Sequence, residues 1–343
     1  MSITFPLGRL VVCATILSIG SCPGAAETPD LRAVANDNRT TGGRLEKGVR
    51  KIELEAHVAK WYPESDSGSF LEVQTFGEVG HAPSVPGPLI RVTEQTVIEA
   101  TVTNRLPGAP LVVHGLHSRP GPDEPLAIPP GETRSVSFTA GKPGTYFYWA
   151  TTTGSVIVRP PRPAGGRRGA TANSAGGVGA PAAAPARTGR DTTLSGAFIV
   201  DPTGTAANRD RVFVITELFE RAGGGTAPLA EGEPIGQNAF MVAINGKSWP
   251  HTEHLTYRAG DSIRWRWINS GAGPHPMHLH GFHYLVESKG DVGSDKIYTE
   301  AERRTVVTEN MAAGTTMTMQ WQPQSAPATG CSTAICWDIL RRI

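Results

Sequence analysis

The chain has 343 residues, with 32 Lys+Arg against 31 Asp+Glu and a net charge of +1. That balance excludes the basic excess of a nucleic-acid binder, so no nucleic-acid partner is expected. Gly (40) and Pro (28) together make up about one residue in five, against roughly 12% in an average protein, which excludes a helical bundle. The cysteines stand at 13, 22, 331 and 336, so no disulfide framework holds the main body together.

In chain order, Arg9, the apolar run Leu10–Leu17 and the small residues Gly24-Ala25-Ala26 describe a secretory signal peptide over 1–26. The run is too short to cross a bilayer. A second reading takes Ile19-Gly20-Ser21-Cys22 as a lipoprotein box with Cys22 as a lipid anchor. Either way the mature chain is exported, periplasmic or secreted, and no later segment is apolar enough for a membrane span. Residues 27–48 are polar and aperiodic and predict a flexible extension. Strand alternation follows at Lys51–Val58, Thr96–Thr103, Ser135–Phe138 and Thr145–Trp149, with turns at Pro86-Gly87-Pro88, Pro129-Pro130-Gly131 and Lys142-Pro143-Gly144. Short strands between Gly/Pro turns predict a β-sandwich. Residues 156–190 are Pro, Ala, Gly and Arg with almost no large apolar side chain, which predicts a disordered insertion. Strands resume at Leu194–Val200 and again from Arg211.

The two strand-rich blocks, 49–204 and 205–343, read as repeats. Thr96–Asn104 parallels Asp261–Asn269; His114 follows ten residues after the first and His278 nine after the second. Pro130-Gly131-Glu132-Thr133 parallels Ala313-Gly314-Thr315-Thr316. The fold class predicted is therefore all-β, two sandwiches from one duplicated unit.

The strongest local signal is Pro274-His275-Pro276-Met277-His278-Leu279-His280-Gly281-Phe282, three of the chain's ten histidines within six residues. Residues i and i+2 of a strand share a face, so His278 and His280 are expected to project together, with His275 at a bend. Neutral imidazole suits copper or zinc. Elsewhere the bland readings prevail. His57 and His81 are surface or structural, and His251 and His254 lie in a solvated loop. His283 supports the cluster, and Met317, Met319, Trp265 and Trp267 are core.

The run His-Pro-Met-His-Leu-His-Gly-Phe resembles the C-terminal cupredoxin domain of the multicopper oxidases, the laccase-like family. Pro86–Val92 and Gly144–Tyr148 resemble stretches of its first domain. The resemblance implies two cupredoxin-like Greek-key sandwiches and copper as cofactor. It implies His275 at a type 1 copper, and His278 and His280 at a trinuclear cluster. It also implies a small reducing substrate, with oxygen reduced to water. The departures are in the first domain. Where the family has His-x-His, this chain has His114-Gly115-Leu116, and His117 is expected on the opposite strand face. Where a second pair should follow Tyr148, it has Trp149-Ala150-Thr151. His114, His275, His278 and His280 are thus the metal-ligand candidates. The runner-up reading is a non-catalytic periplasmic copper-binding or copper-tolerance protein. By the same resemblance, two domains imply a cluster shared between subunits and a homotrimer.

The family's final His-Cys-His-x-x-x-His motif is missing after Pro327. A permitted set of codons for Ala328–Ile339, preceded by one G, reads G-N-W-L-F-H-C-H-L-L-G-H, which carries that motif at that spacing. A lost nucleotide just after Pro327 is therefore expected. Residues 328–343 are then an out-of-frame tail, Cys331 and Cys336 are not ligands, the second sandwich is incomplete, and the activity of the chain as written is doubtful.

Overall fold

The computed structural model describes residues 30–152, 193–204, 210–219 and 240–324. The expectations for the signal peptide, the Cys22 anchor, the 156–190 insertion and the 328–343 tail fall outside them. Among the described residues there are strands and no α-helix. No helix is long and apolar enough to cross a membrane.

The first half holds β1 (Arg32–Ala35), β2 (Arg44–Glu46), β3 (Val49–Trp61), β4 (Leu71–Glu78), β5 (Ser84–Val85), β6 (Gly87–Thr93), β7 (Val97–Asn104), β8 (Leu111–His114), β9 (Leu126–Ile128), β10 (Thr133–Thr139), β11 (Gly144–Thr151) and β12 (Ser195–Asp201). They form a seven-stranded sheet, β1-β5-β4-β3-β7-β10 with β2 on β3, and a five-stranded sheet, β6-β12-β11-β8-β9. The predicted alternation is visible in β3, where Ile52, Leu54 and Ala56 turn inward. They meet Ile98, Ala100 and Val102 of β7 and Tyr146 and Tyr148 of β11 in one core.

The second half holds β13 (Arg211–Phe219), β14 (Phe240–Ile244), β15 (Ile263–Asn269), β16 (His275–His278), β17 (Tyr284–Gly290), β18 (Asp295–Ile297), β19 (Arg304–Val306), β20 (Thr308–Met311) and β21 (Thr315–Trp321). A seven-stranded sheet runs β14-β13-β15-β21-β17-β18 with β19 on β17, and β16 pairs with β20 alone. Trp265, Trp267, Met317 and Met319 pack in its core, as expected of them, and Met277 joins them.

Residues 30–48 differ from the flexible extension read in the sequence. β1 pairs in parallel with β3 and β5, and Gly42 donates its N–H to Leu89 O at 2.7 Å. The segment is held by its backbone, which side-chain periodicity does not report. It also ties the halves together, through Asn38 Nδ2 to Asn245 Oδ1 (2.9 Å).

A second seam lies behind β11. This strand is buried on both faces: Phe147 and Trp149 point away from the first core and pack with Val212, Val214 and Ile268 of the second half. Beside them, Asp210 (side chain 1% exposed) sits between Arg91 (2.8 Å) and Arg266 (2.5 Å). Asp201 pairs with the same two arginines at 2.7 and 3.3 Å. Burial would raise the Asp210 carboxyl, but the two guanidiniums outweigh it and hold it below its ordinary range.

Candidate metal centre

β16 is held by antiparallel pairing with β20, His275 opposite Met311 and His278 opposite Thr308. Period-2 alternation buries His275 and Met277 and turns His278 toward solvent. The strand stops at His278; Leu279–Phe282 form a turn with Gly281 at φ +79°. His280 therefore joins His278 through the turn and not through strand alternation. The rings meet edge to face, centroids 4.7 Å apart. Thr308 Oγ1 lies 2.7 Å from His278 Nδ1. A fixed Nδ1 leaves Nε2 as the nitrogen free to bind a metal, the usual way an outer group orients a histidine ligand.

His275 is the first residue of β16 and lies apart from this pair, buried against Glu217 of β13. Its Nε2 is 2.7 Å from Glu217 Oε1, though off the line of a hydrogen bond. Glu217 Oε2 accepts the N–H groups of Ala272 and Gly273, each at 2.7 Å. Burial alone would raise this carboxyl; His275 and the two amides bring it below its ordinary range. With Nε2 facing a carboxylate, Nδ1 is the atom His275 has for a metal.

His114 ends β8 as His278 ends β16. It stacks on Trp149, directly across the ladder, with centroids 5.0 Å apart and planes 8° from parallel. Asp123 Oδ2 takes its Nδ1 at 2.5 Å, and Asp123 Oδ1 accepts the Gly115 N–H at 3.0 Å. His117 was expected on the opposite strand face. Because β8 stops at His114, the chain turns at Gly115 instead and brings His117 Nε2 to 3.5 Å from the same carboxylate. His117 is buried beside the carboxylate that His114 uses; burial and then Arg119 lower its pKa. Against burial, the His114 hydrogen bond and the Gly115 amide hold Asp123 below its ordinary range. The Arg119 guanidinium, pushed down to about 10 by burial, donates from Nη2 to Gly115 O (3.0 Å) and Phe147 O (3.2 Å).

Asp123 and Glu217 are the partners sequence reasoning missed. Glu217 carried a signal, a carboxylate inside the apolar strand Val212–Leu218; Asp123, in a polar loop, carried none. The structure brings His278 and His280 together and leaves His275 and His114 each on a carboxylate of its own. Among the described residues no three His, Cys, Asp or Glu side chains converge as a metal site. These donors fit two ligands of a copper ion, not a complete set.

Two family models, each described as multicopper oxidase, match residues 74–170 and 229–327, together more than half of the chain. A probable nitrite reductase-hydroxylamine oxidoreductase fusion protein of Kuenenia stuttgartiensis is 27% identical over 258 residues, covering 70% of this chain and 26% of that protein. The chain thus spans about a quarter of the length of the curated relative it matches. Among solved structures, the multicopper oxidase mgLAC aligns with a TM-score of 0.54 at 21% identity, over 80% of this chain and 76% of that one. The blue copper oxidase of Nitrosomonas europaea gives 0.54 at 20%, with the same coverage. The copper nitrite reductase of Nitrosomonas europaea gives 0.53 at 21%, over 80% and 85%. At these identities the likeness is one of fold, the cupredoxin sandwich.

Proposed function

The chain belongs to the multicopper oxidase family, and from that premise we propose that it derives from a copper oxidoreductase that oxidises a small reducing substrate with oxygen as acceptor. The observation that carries the reading is the ring-to-ring pair of His278 and His280, its outer nitrogen held by Thr308. Bound copper supplies one-electron transfer in such sites. The chain's own residues would do the rest: Thr308 fixes the tautomer of His278, Glu217 that of His275, and Asp123 that of His114. The thiolate and further imidazoles come from the segment after Pro327, read with the lost nucleotide restored. His114 of a neighbouring subunit completes the set in a trimer.

As written, the chain is expected to hold at most one or two copper ions, weakly, at His278 and His280; four coppers and an intense blue colour in metal analysis would contradict this. With the frame restored, His275→Ala should abolish the blue band. His278→Ala should keep the band and slow acceptor reduction, and identical phenotypes reject the roles. Light scattering tests the trimer; a fully copper-loaded monomer eliminates it. Sequencing the gene across codon 327 tests the frame. Two rivals face the same assays. Nitrite as acceptor is favoured by the name of the curated relative and shows as nitrite-dependent turnover. A non-catalytic copper binder takes up metal and turns over neither acceptor.

A further inference from the structure

The second half holds a cavity of about 550 Å³ whose apolar lining is Phe213, Tyr257, Trp265, Trp267, Leu279 and Trp321. A close-packed interior leaves few voids larger than a water molecule, whereas a space of this size takes a small organic ligand. None of His114, His275, His278 and His280 lines it; Leu279, between the last two, does. Ala35 and Asp37 line it as well. The segment that ties the halves together through Asn38 and Asn245 therefore also borders this space.

The aromatic lining is angular. Trp321 stands on Trp265 with centroids 5.0 Å and planes 69° apart, and on Tyr257 at 5.7 Å and 84°. Phe213 stacks on Trp267 at 4.6 Å. Rings set at steep angles offer a further flat ring both a face and an edge to pack against.

Two hydrogen-bond donors on lining residues go unused within the fold. Trp321 Nε1 is buried and has no acceptor among the described residues, which costs free energy until something supplies one. The Tyr257 hydroxyl accepts the Trp265 Nε1–H at 3.0 Å and keeps its own hydrogen to give; burial, raising its pKa, holds that hydrogen in place. A ligand here meets donors, so its polar atom is an acceptor. The charges around the cavity are already matched. Glu253 pairs with Arg39 and Arg211, Asp37 with Arg39 at 3.2 Å, and Lys247 with Asp66 at 2.8 Å. None of them calls for a charged ligand.

We propose that this cavity is a binding site for one uncharged, planar aromatic molecule bearing a ring carbonyl. Its rings lie against the aromatic lining, and its oxygen accepts the hydrogen bond that Trp321 has to give. Binding needs no copper, so the site does not rest on the copper reading.

The full chain, freed of copper with a chelator, is dialysed to equilibrium against coumarin, which is flat, uncharged and carries a ring carbonyl. Naphthalene keeps the flat rings without the acceptor. Camphor keeps a carbonyl without the flat rings, and coumarin-3-carboxylate adds a charge. Coumarin should saturate at one molecule per chain, bind more tightly than all three, and raise the melting temperature as its concentration rises. Trp321→Phe keeps a ring and removes the N–H. It should weaken coumarin roughly fivefold, the contribution of one hydrogen bond, and leave naphthalene unchanged. Thr252 also lines the cavity; Thr252→Trp puts a further ring into the space and should weaken coumarin and naphthalene alike. No saturable coumarin binding overturns the proposal, the space then being filled by the chain itself or by a second copy. Camphor binding as tightly as coumarin overturns it too, since any apolar body would serve. So does a coumarin affinity that either variant leaves untouched. Cu(II) titration of the same sample keeps the two readings apart: coumarin uptake without copper uptake leaves this site standing and sinks the metal assignment.

Discussion

Gly115 shows how one residue sets the position of a candidate ligand. Its φ is +79°, and a Cβ there would lie 2.6 Å from Phe147 O and 2.7 Å from the Arg119 guanidinium. Gly115→Ala should therefore cost about 1–3 kcal/mol and lower the melting temperature, because both the left-handed backbone and the contact are unfavourable. At the other cluster, Thr308→Val removes the hydroxyl that holds His278 Nδ1. Copper affinity in calorimetric titration should fall roughly tenfold, the low end of what an outer-shell partner contributes, with the fold unchanged. Of the orienting groups only Glu217 left a trace in the sequence, as a carboxylate inside an apolar strand. The histidines announced themselves by number and spacing, but their orienting groups arrive from β20, β13 and the loop carrying Asp123. Such meetings depend on pairing register, which spacing along the chain does not encode.

Elements were more legible. Strands β3, β7 and β10 stand where apolar alternation placed them, because one buried face imposes a period of two; β11 and β12, buried on both faces, also stand where strands were read in the sequence. Two errors share a cause. His117 and His280 were assigned faces as if their strands continued, whereas β8 stops at His114 and β16 at His278 and a glycine turn follows each. The β1 and β2 segments were missed because three- and four-residue strands held by backbone bonds show no periodic pattern. The duplicated Asn caps give a test at this scale. Asn104 and Asn269 are fully buried, and each satisfies backbone carbonyls of its own hairpin. Asn104→Ala and Asn269→Ala should each destabilise by about 2–3 kcal/mol, since a buried acceptor left unpaired bears its full desolvation cost. Chemical denaturation of the two variants should give matching losses if the caps are equivalent.

At the scale of the molecule, the Asp210 cluster joins the sandwiches. Removing one charge from a buried set leaves the others uncompensated, so Asp210→Asn should cost about 3–5 kcal/mol. The pH dependence follows from the depressed carboxyl. Its contribution is complete above the unfolded carboxylate value, near 4, and is lost as pH falls through the lower folded value. Acid unfolding below about pH 4 should therefore flatten in Asp210→Asn. The residues of this cluster lie at Arg91, Asp201, Asp210 and Arg266, too scattered for any sequence pattern to join them.

β11, buried on both faces, has a calorimetric consequence. Its inner residues belong to one core and its outer residues to the seam with the other half, so neither sandwich can open without stripping the same strand. Scanning calorimetry should record a single heat-absorption peak, with calorimetric and van't Hoff enthalpies in agreement. A cavity introduced at Phe147 should move that whole peak and leave no shoulder; two resolved peaks would mean that the halves melt as strangers.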